Sequence, residues 1–263
     1  MTASFGYLAA WGIGLVLGLI GGGGSILTVP VLVYLFGMSA WDSTAHSLII
    51  VGTTAFVGAI LAYGRRELDP GRVLFFGVPG VLGVFSTRRF LMPRIPDQIP
   101  IGPWNLTKGE IVLLVFVALM LLTATQMILG RTKENSAKSS GYRPGILMGQ
   151  GVAVGLVTGF VGAGGGFLIV PALVHFAGLP MRLAVGTSLG IIALQSLIGV
   201  LGEWEHLSQL NYALVASVGA LAILGMLIGG RFRSRVDSNA LKKFFGYFVF
   251  GMGLLIVWQE LIR

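Results

Sequence analysis

The groups best placed to do chemistry in this sequence are backbone amides. The stretch Gly21-Gly22-Gly23-Gly24-Ser25-Ile26-Leu27-Thr28-Val29-Pro30 is nearly repeated as Gly162-Ala163-Gly164-Gly165-Gly166-Phe167-Leu168-Ile169-Val170-Pro171. Each glycine costs about 1 kcal/mol against alanine in a helix interior, so such a run ends one helical segment before the next begins. The first amides of the next segment then lack intrahelical partners, and together with the helix dipole they attract an anion. Glycine also lets that anion approach without a Cβ in the way. The donors predicted in the first copy are the amides of Gly22, Gly23, Gly24, Ser25 and Ile26, with the Ser25 hydroxyl. In the second copy they are those of Gly164, Gly165, Gly166 and Phe167. The bland alternative is that the glycines only allow helices to cross closely.

A second set of polar groups follows each run: Ser43, Thr44, His46, Ser47, Thr53 and Thr54 after the first, and Thr187, Ser188, Gln195 and Ser196 after the second. Hydroxyls, a carboxamide and an imidazole are the groups that complete an oxyanion's hydrogen bonds, although isolated polar groups in apolar helices also tie helices together. His46, Ser47, Thr187, Ser188 and Gln195 are assigned to the substrate. His46 is also the proton-coupling candidate, because Asp42, Glu67, Asp69, Glu110, Glu203, Glu205 and Glu260 all fall at segment ends or in loops. His175 reads as a packing histidine, with proton carriage in place of His46 as its alternative, and Arg182 as either an anion attractor or a loop charge. No metal site, catalytic residue or cofactor is expected, since cysteine is absent and the three histidines are scattered. Neither glycine run is followed by Lys-Ser/Thr, which excludes a phosphate loop.

The elements that must carry these groups are membrane helices. Of 263 residues 55% are hydrophobic and 11% charged, with mean hydropathy +0.87, whereas soluble domains carry about 25% charged residues. The net charge of +8 sits in loops between apolar runs, as expected for cytoplasmic loops rather than a nucleic-acid surface. No signal peptide is expected. Pairs such as Gly14 with Gly18, Gly155 with Gly159, Gly186 with Gly190 and Gly225 with Gly229 predict close helix packing.

The first repeat, residues 1–130, contains a broken segment at 7–36 and spans at 43–62, 71–91 and 110–129, with a kink expected at Pro79-Gly80 and a proline-rich connection at 94–105. A polar linker covers 131–143. The second repeat, 144–263, has its broken segment at 144–177 and spans at 184–201, 211–230 and 241–262. The copies align at the offset separating Pro30 from Pro171, and Ser47-Leu48 then matches Ser188-Leu189. The arms of each broken segment, about 21 and 18 Å long at 1.5 Å per residue, are short for a membrane core of about 30 Å. If they form re-entrant hairpins, 13 of the 18 Lys and Arg residues fall on one side; if they are interrupted spans, the split is 8 against 10. The positive-inside rule therefore favours hairpins. The fold class expected is an all-α polytopic membrane protein of two inverted repeats, each a Gly-broken hairpin plus three spans, with both termini outside.

The doubled glycine-to-proline break, each copy followed by Ala45-His46-Ser47-Leu48 or Gly186-Thr187-Ser188-Leu189, resembles the sulfite exporter TauE/SafE family. The likeness extends over essentially the whole chain, including the basic ends at Arg88-Arg89 and Arg231. It implies a plasma-membrane permease for small sulfur-containing anions such as sulfite or organosulfonates, often moving them outward. The expected partners are thus a small anionic substrate, the lipid bilayer and a coupling proton; nucleic acid is not among them, and no oligomeric state is specified. Interrupted hydrophobic segments at matching places in two halves mark a transporter's midplane site and imply alternating access. A passive anion channel is the alternative; an enzyme lacks a nucleophile–base pair, metal ligands or an HExxH-type pattern, and a purely structural role leaves the doubled break unexplained.

Overall fold

The computed structural model describes residues 2–101, 104–129, 144–161, 166–175, 177–201, 210–233 and 237–262. Helix α1 (Thr2–Ile20) ends at the first glycine run, which winds into a 3-10 turn (Gly22–Leu27) before α2 (Thr28–Tyr34). Gly21 makes the break with φ 78°, a left-handed conformation that side chains disfavour. The chain then doubles back. A Cβ on Gly24 would lie 2.7 Å from the Ile13 carbonyl oxygen, and the Tyr7 and Phe36 rings meet edge to face at 5.3 Å. A continuous helix would separate Tyr7 from Phe36 by more than 40 Å, at about 1.5 Å per residue.

Helix α3 (Ala40–Gly64) follows, capped by the Ser39 hydroxyl, which accepts from the Asp42 amide at 3.0 Å. The next span is α4 (Pro70–Arg72) and α5 (Val78–Ser86) joined and extended by π-turns at Val73–Gly77 and Thr87–Leu91. The first π-turn precedes Pro79, whose missing N–H and bulky ring disfavour a regular α-turn there. Strands β1 (Gln98–Ile101) and β2 (Trp104–Thr107) pair antiparallel within the stretch the sequence reads as a simple connection. Thr107 and Glu110 then form a capping box: Thr107 Oγ1 accepts from the Glu110 amide at 3.2 Å and Glu110 Oε2 from the Thr107 amide at 2.6 Å. That box starts α6 (Lys108–Leu129).

The second half contains α7 (Pro144–Val161), α8 (Gly166–His175), α9 (Met181–Val200), α10 (Tyr212–Phe232) and α11 (Ser238–Ile262). Among the described residues, five helices are long and apolar enough to cross a membrane by length and composition: Trp41–Gly64, Pro70–Arg94, Pro144–Val161, Met181–Val200 and Tyr212–Phe232. Among the described residues the β1–β2 ribbon is the one departure from helical secondary structure, and the protein is an all-α polytopic membrane protein in class.

Corresponding elements repeat one another in detail. The Met38 amide donates to the Leu32 carbonyl at 3.2 Å, and the Leu179 amide to the Leu173 carbonyl at 3.1 Å. Gly37 and Gly178, at φ 71° and 63°, terminate the two arms in the same left-handed way. Packing is exchanged between halves. Helices α1 and α10 run parallel in close contact, Gly14 beside Ala222 and Gly18 beside Gly230; α5 and α7 do the same, Gly80 beside Gly155 and Gly159 beside Val84. In both pairs a methyl group would collide with a facing carbonyl, so the small-residue reading of Gly14, Gly18, Gly155, Gly159, Gly225 and Gly229 describes real close approach. Helices α3 and α9 are antiparallel, with Gly52 against Ser196, Gly58 against Leu189 and Ala62 against Gly186. Around this centre lies a buried core that includes Leu17, Val51, Ala55, Phe76, Ile169, Leu173, Leu189, Ile192 and Met226.

Candidate functional site

Residues from the two glycine runs meet. Gly22, at the start of the 3-10 turn, packs flush on Gly166, at the start of α8, and neither position has space for a Cβ. The Gly22 amide donates to Ser188 Oγ at 3.4 Å, and Ser188 itself donates to the Val185 carbonyl at 2.8 Å. Gly22, Gly24, Ser25 and Ile26 are buried, and Gly23 lies in the same turn. The structure thus joins Gly22, Gly166 and Ser188, three residues drawn from both halves of the sequence. Gly164 and Gly165 lie outside the described residues.

Besides the Gly22 amide, two of the expected donors are already engaged. Ser25 Oγ donates to the Gly22 carbonyl at 2.7 Å, and the Gly24 amide makes a long bond of 3.4 Å to the Gly21 carbonyl. The turn is 3-10 rather than open, so it consumes part of the donor capacity that an α-helix N-terminus would present. Close packing of Gly22 on Gly166 is therefore part of what these glycines do, alongside any ligand contact.

His46 is fully committed. The Asn211 amide donates to His46 Nε2 at 3.0 Å, so Nδ1 carries the proton and donates to the Asp42 carbonyl at 2.8 Å. The ring is neutral in this arrangement and ties the first turns of α3 to the start of α10. Thr187 is also in use: its Oγ1 accepts from the Asp69 amide at 3.0 Å, holding the 65–69 loop over the N-terminal part of α9.

Other assigned groups are buried and unsatisfied. Ser47 Oγ and both amide atoms of Gln195 have no hydrogen-bond partner, and neither do Ser43 Oγ and Ser196 Oγ, although all four residues are fully buried. Gln195, on α9, faces α5, its amide nitrogen against Gly80. Leaving one buried polar group unpaired costs about 1–3 kcal/mol, so each of these groups calls for a partner. Thr54 Oγ1, by contrast, bonds the Ile50 carbonyl at 2.7 Å, and Thr53 the Ile49 carbonyl at 2.7 Å.

One residue escaped the sequence reading. Arg88, on the π-turn after α5, is 1% exposed; its Nη1 donates to Thr44 Oγ1 at 3.1 Å and its guanidinium lies 5.6 Å from the Trp41 ring centre. A doublet such as Arg88-Arg89 at the end of an apolar run reads as interfacial charge. The available signal was spacing: Gly80, Val84 and Arg88 recur every four residues, and the first two face α7.

At the opposite end, a polar cover closes over the first break. Asp69 and Arg72 form an ion pair, Arg72 Nη2 reaches the Ala177 carbonyl at 3.4 Å, and Arg65 Nη1 caps α10 through the Gly230 carbonyl at 2.8 Å. Arg233 pairs with Glu67 at 3.4 Å. Burial pushes the Arg233 guanidinium below its ordinary value, the Glu67 carboxylate acts to raise it, and Arg65 and Arg182 lower it further. Arg182 contributes here as a surface charge.

Residues 6–256 match the profile of the family described as "Sulfite exporter TauE/SafE". The chain belongs to the sulfite exporter TauE/SafE family. It is 30% identical over 255 residues to a probable membrane transporter protein of Xylella fastidiosa (strain 9a5c), covering 94% of this chain and 92% of that one. Against the probable membrane transporter protein YdhB of Bacillus subtilis (strain 168) the identity is 24%, with 88% and 90% covered. A probable membrane transporter protein of Haemophilus influenzae (strain ATCC 51907 / DSM 11121 / KW20 / Rd) is 26% identical, with 88% and 85% covered. No solved structure matches. This TauE/SafE member is thus a multi-pass membrane transporter and not an enzyme, and the doubled glycine break with its facing hydroxyls runs through the matched region.

Proposed function

We propose that this protein is a secondary transporter, working as an exporter, for a small sulfur-containing anion such as sulfite or an organosulfonate. The observation that carries the reading is the meeting of Gly22 with Gly166, where the Gly22 amide reaches the Ser188 hydroxyl inside a wholly buried region. At 3.4 Å that bond is long for an N–H···O contact, so a substrate oxygen can take the hydroxyl's place. Amides of Gly22, Gly23 and Gly24, with those of Gly164, Gly165 and Gly166, then serve the anion once the two turns part. Ser25, Ser47, Thr187, Ser188 and Gln195 supply side-chain contacts. The sulfur-oxyanion class follows the family description.

The two halves are inverted repeats, each built of a re-entrant hairpin and three spans. Support comes from α3 and α9, which are equivalent by the duplication yet pack antiparallel. A two-fold axis relating antiparallel partners is perpendicular to them, and hence in the plane of the membrane. Contact of Tyr7 with Phe36 supports the re-entrant first hairpin. Alternating access follows when each half rocks so that one end opens as the other closes. In the present arrangement the 65–72 cover, with its ion pairs, closes the end nearest Ser188; such a gate favours a transporter over a passive channel. His46 couples to a proton only by releasing the Asn211 amide, since a protonated Nε2 would face an N–H donor; coupling would thus loosen α10 from α3.

The test is thermal stability of the purified protein in detergent with sulfite, sulfoacetate, thiosulfate, sulfate and chloride. Selective stabilisation by a sulfur oxyanion supports the reading, and an equal response to chloride and sulfite points to a channel-like site. A flat response to all five removes the anion assignment.

A further inference from the structure

We infer that Arg233 is the first ligand of the anion at the covered end, and that the anion takes this guanidinium from Glu67. The inference rests on the anion-transport reading above and names the group that loads its site. Contacts on two sides place the Glu67–Arg233 pair beside the Gly22–Ser188 bond. The Glu67 carbonyl lies on Gly186 and the Asp69 amide donates to Thr187 Oγ1 at 3.0 Å, so the Glu67 turn sits on the stretch of α9 that carries Ser188. On the other side, Arg233 Nη2 and Arg65 Nη1 flank Gly230, whose neighbour on α1 is Gly18, three residues before the break at Gly21. Arg65, Arg182 and Arg233 belong to the Lys/Arg-rich side of the hairpin arrangement, the cytoplasmic side, from which an exporter loads.

The pair is arranged for exchange. Arg233 Nη1 and Glu67 Oε2 are 3.4 Å apart, beyond the roughly 2.7–2.9 Å of a charge-assisted hydrogen bond. Among the described residues neither atom has a hydrogen-bond partner, nor does Arg233 Nε, although all three are shut off from solvent. The Arg233 side chain is 10% exposed and that of Glu67 26%, so the carboxylate can swing into water while the guanidinium stays enclosed. The backbone of Glu67 need not move. Arg66 takes a left-handed φ of 58°, and the Glu67 amide closes the end of α3 on the Ala62 carbonyl at 2.9 Å. An enclosed charge left without its partner is strongly unfavourable, and the arriving anion replaces the carboxylate. The planar fork of a guanidinium matches two oxygens of a sulfite or sulfonate group, which chloride lacks. Arg65 and Arg182 are exposed and both repel the Arg233 charge, whereas Asp69 is committed to Arg72. This local excess of positive charge draws anions to the cover. Departure of Glu67 unlatches the cover as the anion binds, so the cargo opens its own gate beside the first glycine turn.

The experiment is sulfite titration of the purified full-length protein in detergent, read by calorimetry, for wild type, Glu67→Gln, Arg233→Gln, Arg233→Lys and the Glu67→Gln/Arg233→Gln double variant. Glu67→Gln removes the internal competitor and is expected to lower Kd about fivefold, whereas Arg233→Gln raises it about tenfold or more. Arg233→Lys keeps the charge, loses the fork and falls between wild type and Arg233→Gln. The double variant should match Arg233→Gln alone, because Glu67 then has nothing to compete for. A merely structural latch behaves differently: both single variants break the same ion pair and shift Kd in the same direction. That result overturns the proposal and leaves the anion reading intact, as does an unchanged or raised Kd in Glu67→Gln. Should Arg233→Gln fail to fold, Glu67→Gln and Arg233→Lys decide by the same opposite signs. Failure of both wild type and Glu67→Gln to bind sulfite or sulfoacetate removes the anion reading, and this proposal with it.

Discussion

Gln195 and His46 are opposite cases at the scale of single residues. Both are buried polar side chains assigned to the substrate from sequence, yet His46 has both nitrogens satisfied while Gln195 has neither amide atom paired. Gln195→Leu removes an unpaired buried amide at similar volume, so stability should hold or rise by about 1 kcal/mol. If the amide serves the substrate, transport should fall tenfold or more; melting temperature and flux measured together separate the effects. His46→Ala should behave inversely, losing about 1–3 kcal/mol of stability because it orphans the Asn211 amide, and its melting temperature will register this. Residue type and repeat position made both visible in the sequence. Which was already satisfied was not, because the partner of His46 lies 165 positions away. Arg88 was hidden for a related reason: an arginine at the end of an apolar run looks interfacial until a π-turn rotates it inward.

Among elements, the glycine-rich segments were legible as breaks because glycine's helix penalty is local and additive over a run. Their conformation was not, since the 3-10 turn is fixed by what faces it, namely Gly166, Ser188 and Val185. Gly22→Ala and Gly166→Ala each place a methyl group inside the facing backbone and should separate the two breaks. Overpacking of this kind costs roughly 1–3 kcal/mol, and both variants should lose transport even where they still insert, as membrane yield compared with flux will reveal. Helix–helix partners were partly legible from small-xxx-small spacing, but spacing does not name the partner: Gly14 and Gly18 of α1 pack against α10, in the other half of the chain. The β1–β2 hairpin went unseen because its prolines, Pro100 among them, argue against strand; it is a two-stranded ribbon with two edges, where proline is tolerated. Ion pairing of Glu67 with Arg233 belongs to this scale as well. Glu67→Gln should weaken the cover over the first break, and cysteines placed beneath it should become more reactive towards a water-soluble thiol reagent.

For the whole molecule, the duplication was the strongest signal in the sequence, and the bonds at Leu32–Met38 and Leu173–Leu179 repeat it in three dimensions. The proposed inversion is supported by charge bias and by the antiparallel α3 and α9, and it makes a prediction about sides. Ser39 and Pro180 occupy equivalent places at the ends of the two arms and both are exposed. The chain contains no cysteine, so Ser39→Cys and Pro180→Cys can be labelled singly in intact cells. Inverted repeats require an impermeant maleimide to reach one from outside and the other only after permeabilisation; parallel repeats would label both from the same side. The most direct test of the central account is sulfite flux into proteoliposomes containing the purified protein. The account predicts saturable flux, inhibited by an organosulfonate and little affected by chloride, and abolished in Gly22→Ala. Flux no greater than in protein-free liposomes, or a linear flux that chloride suppresses equally, would contradict it.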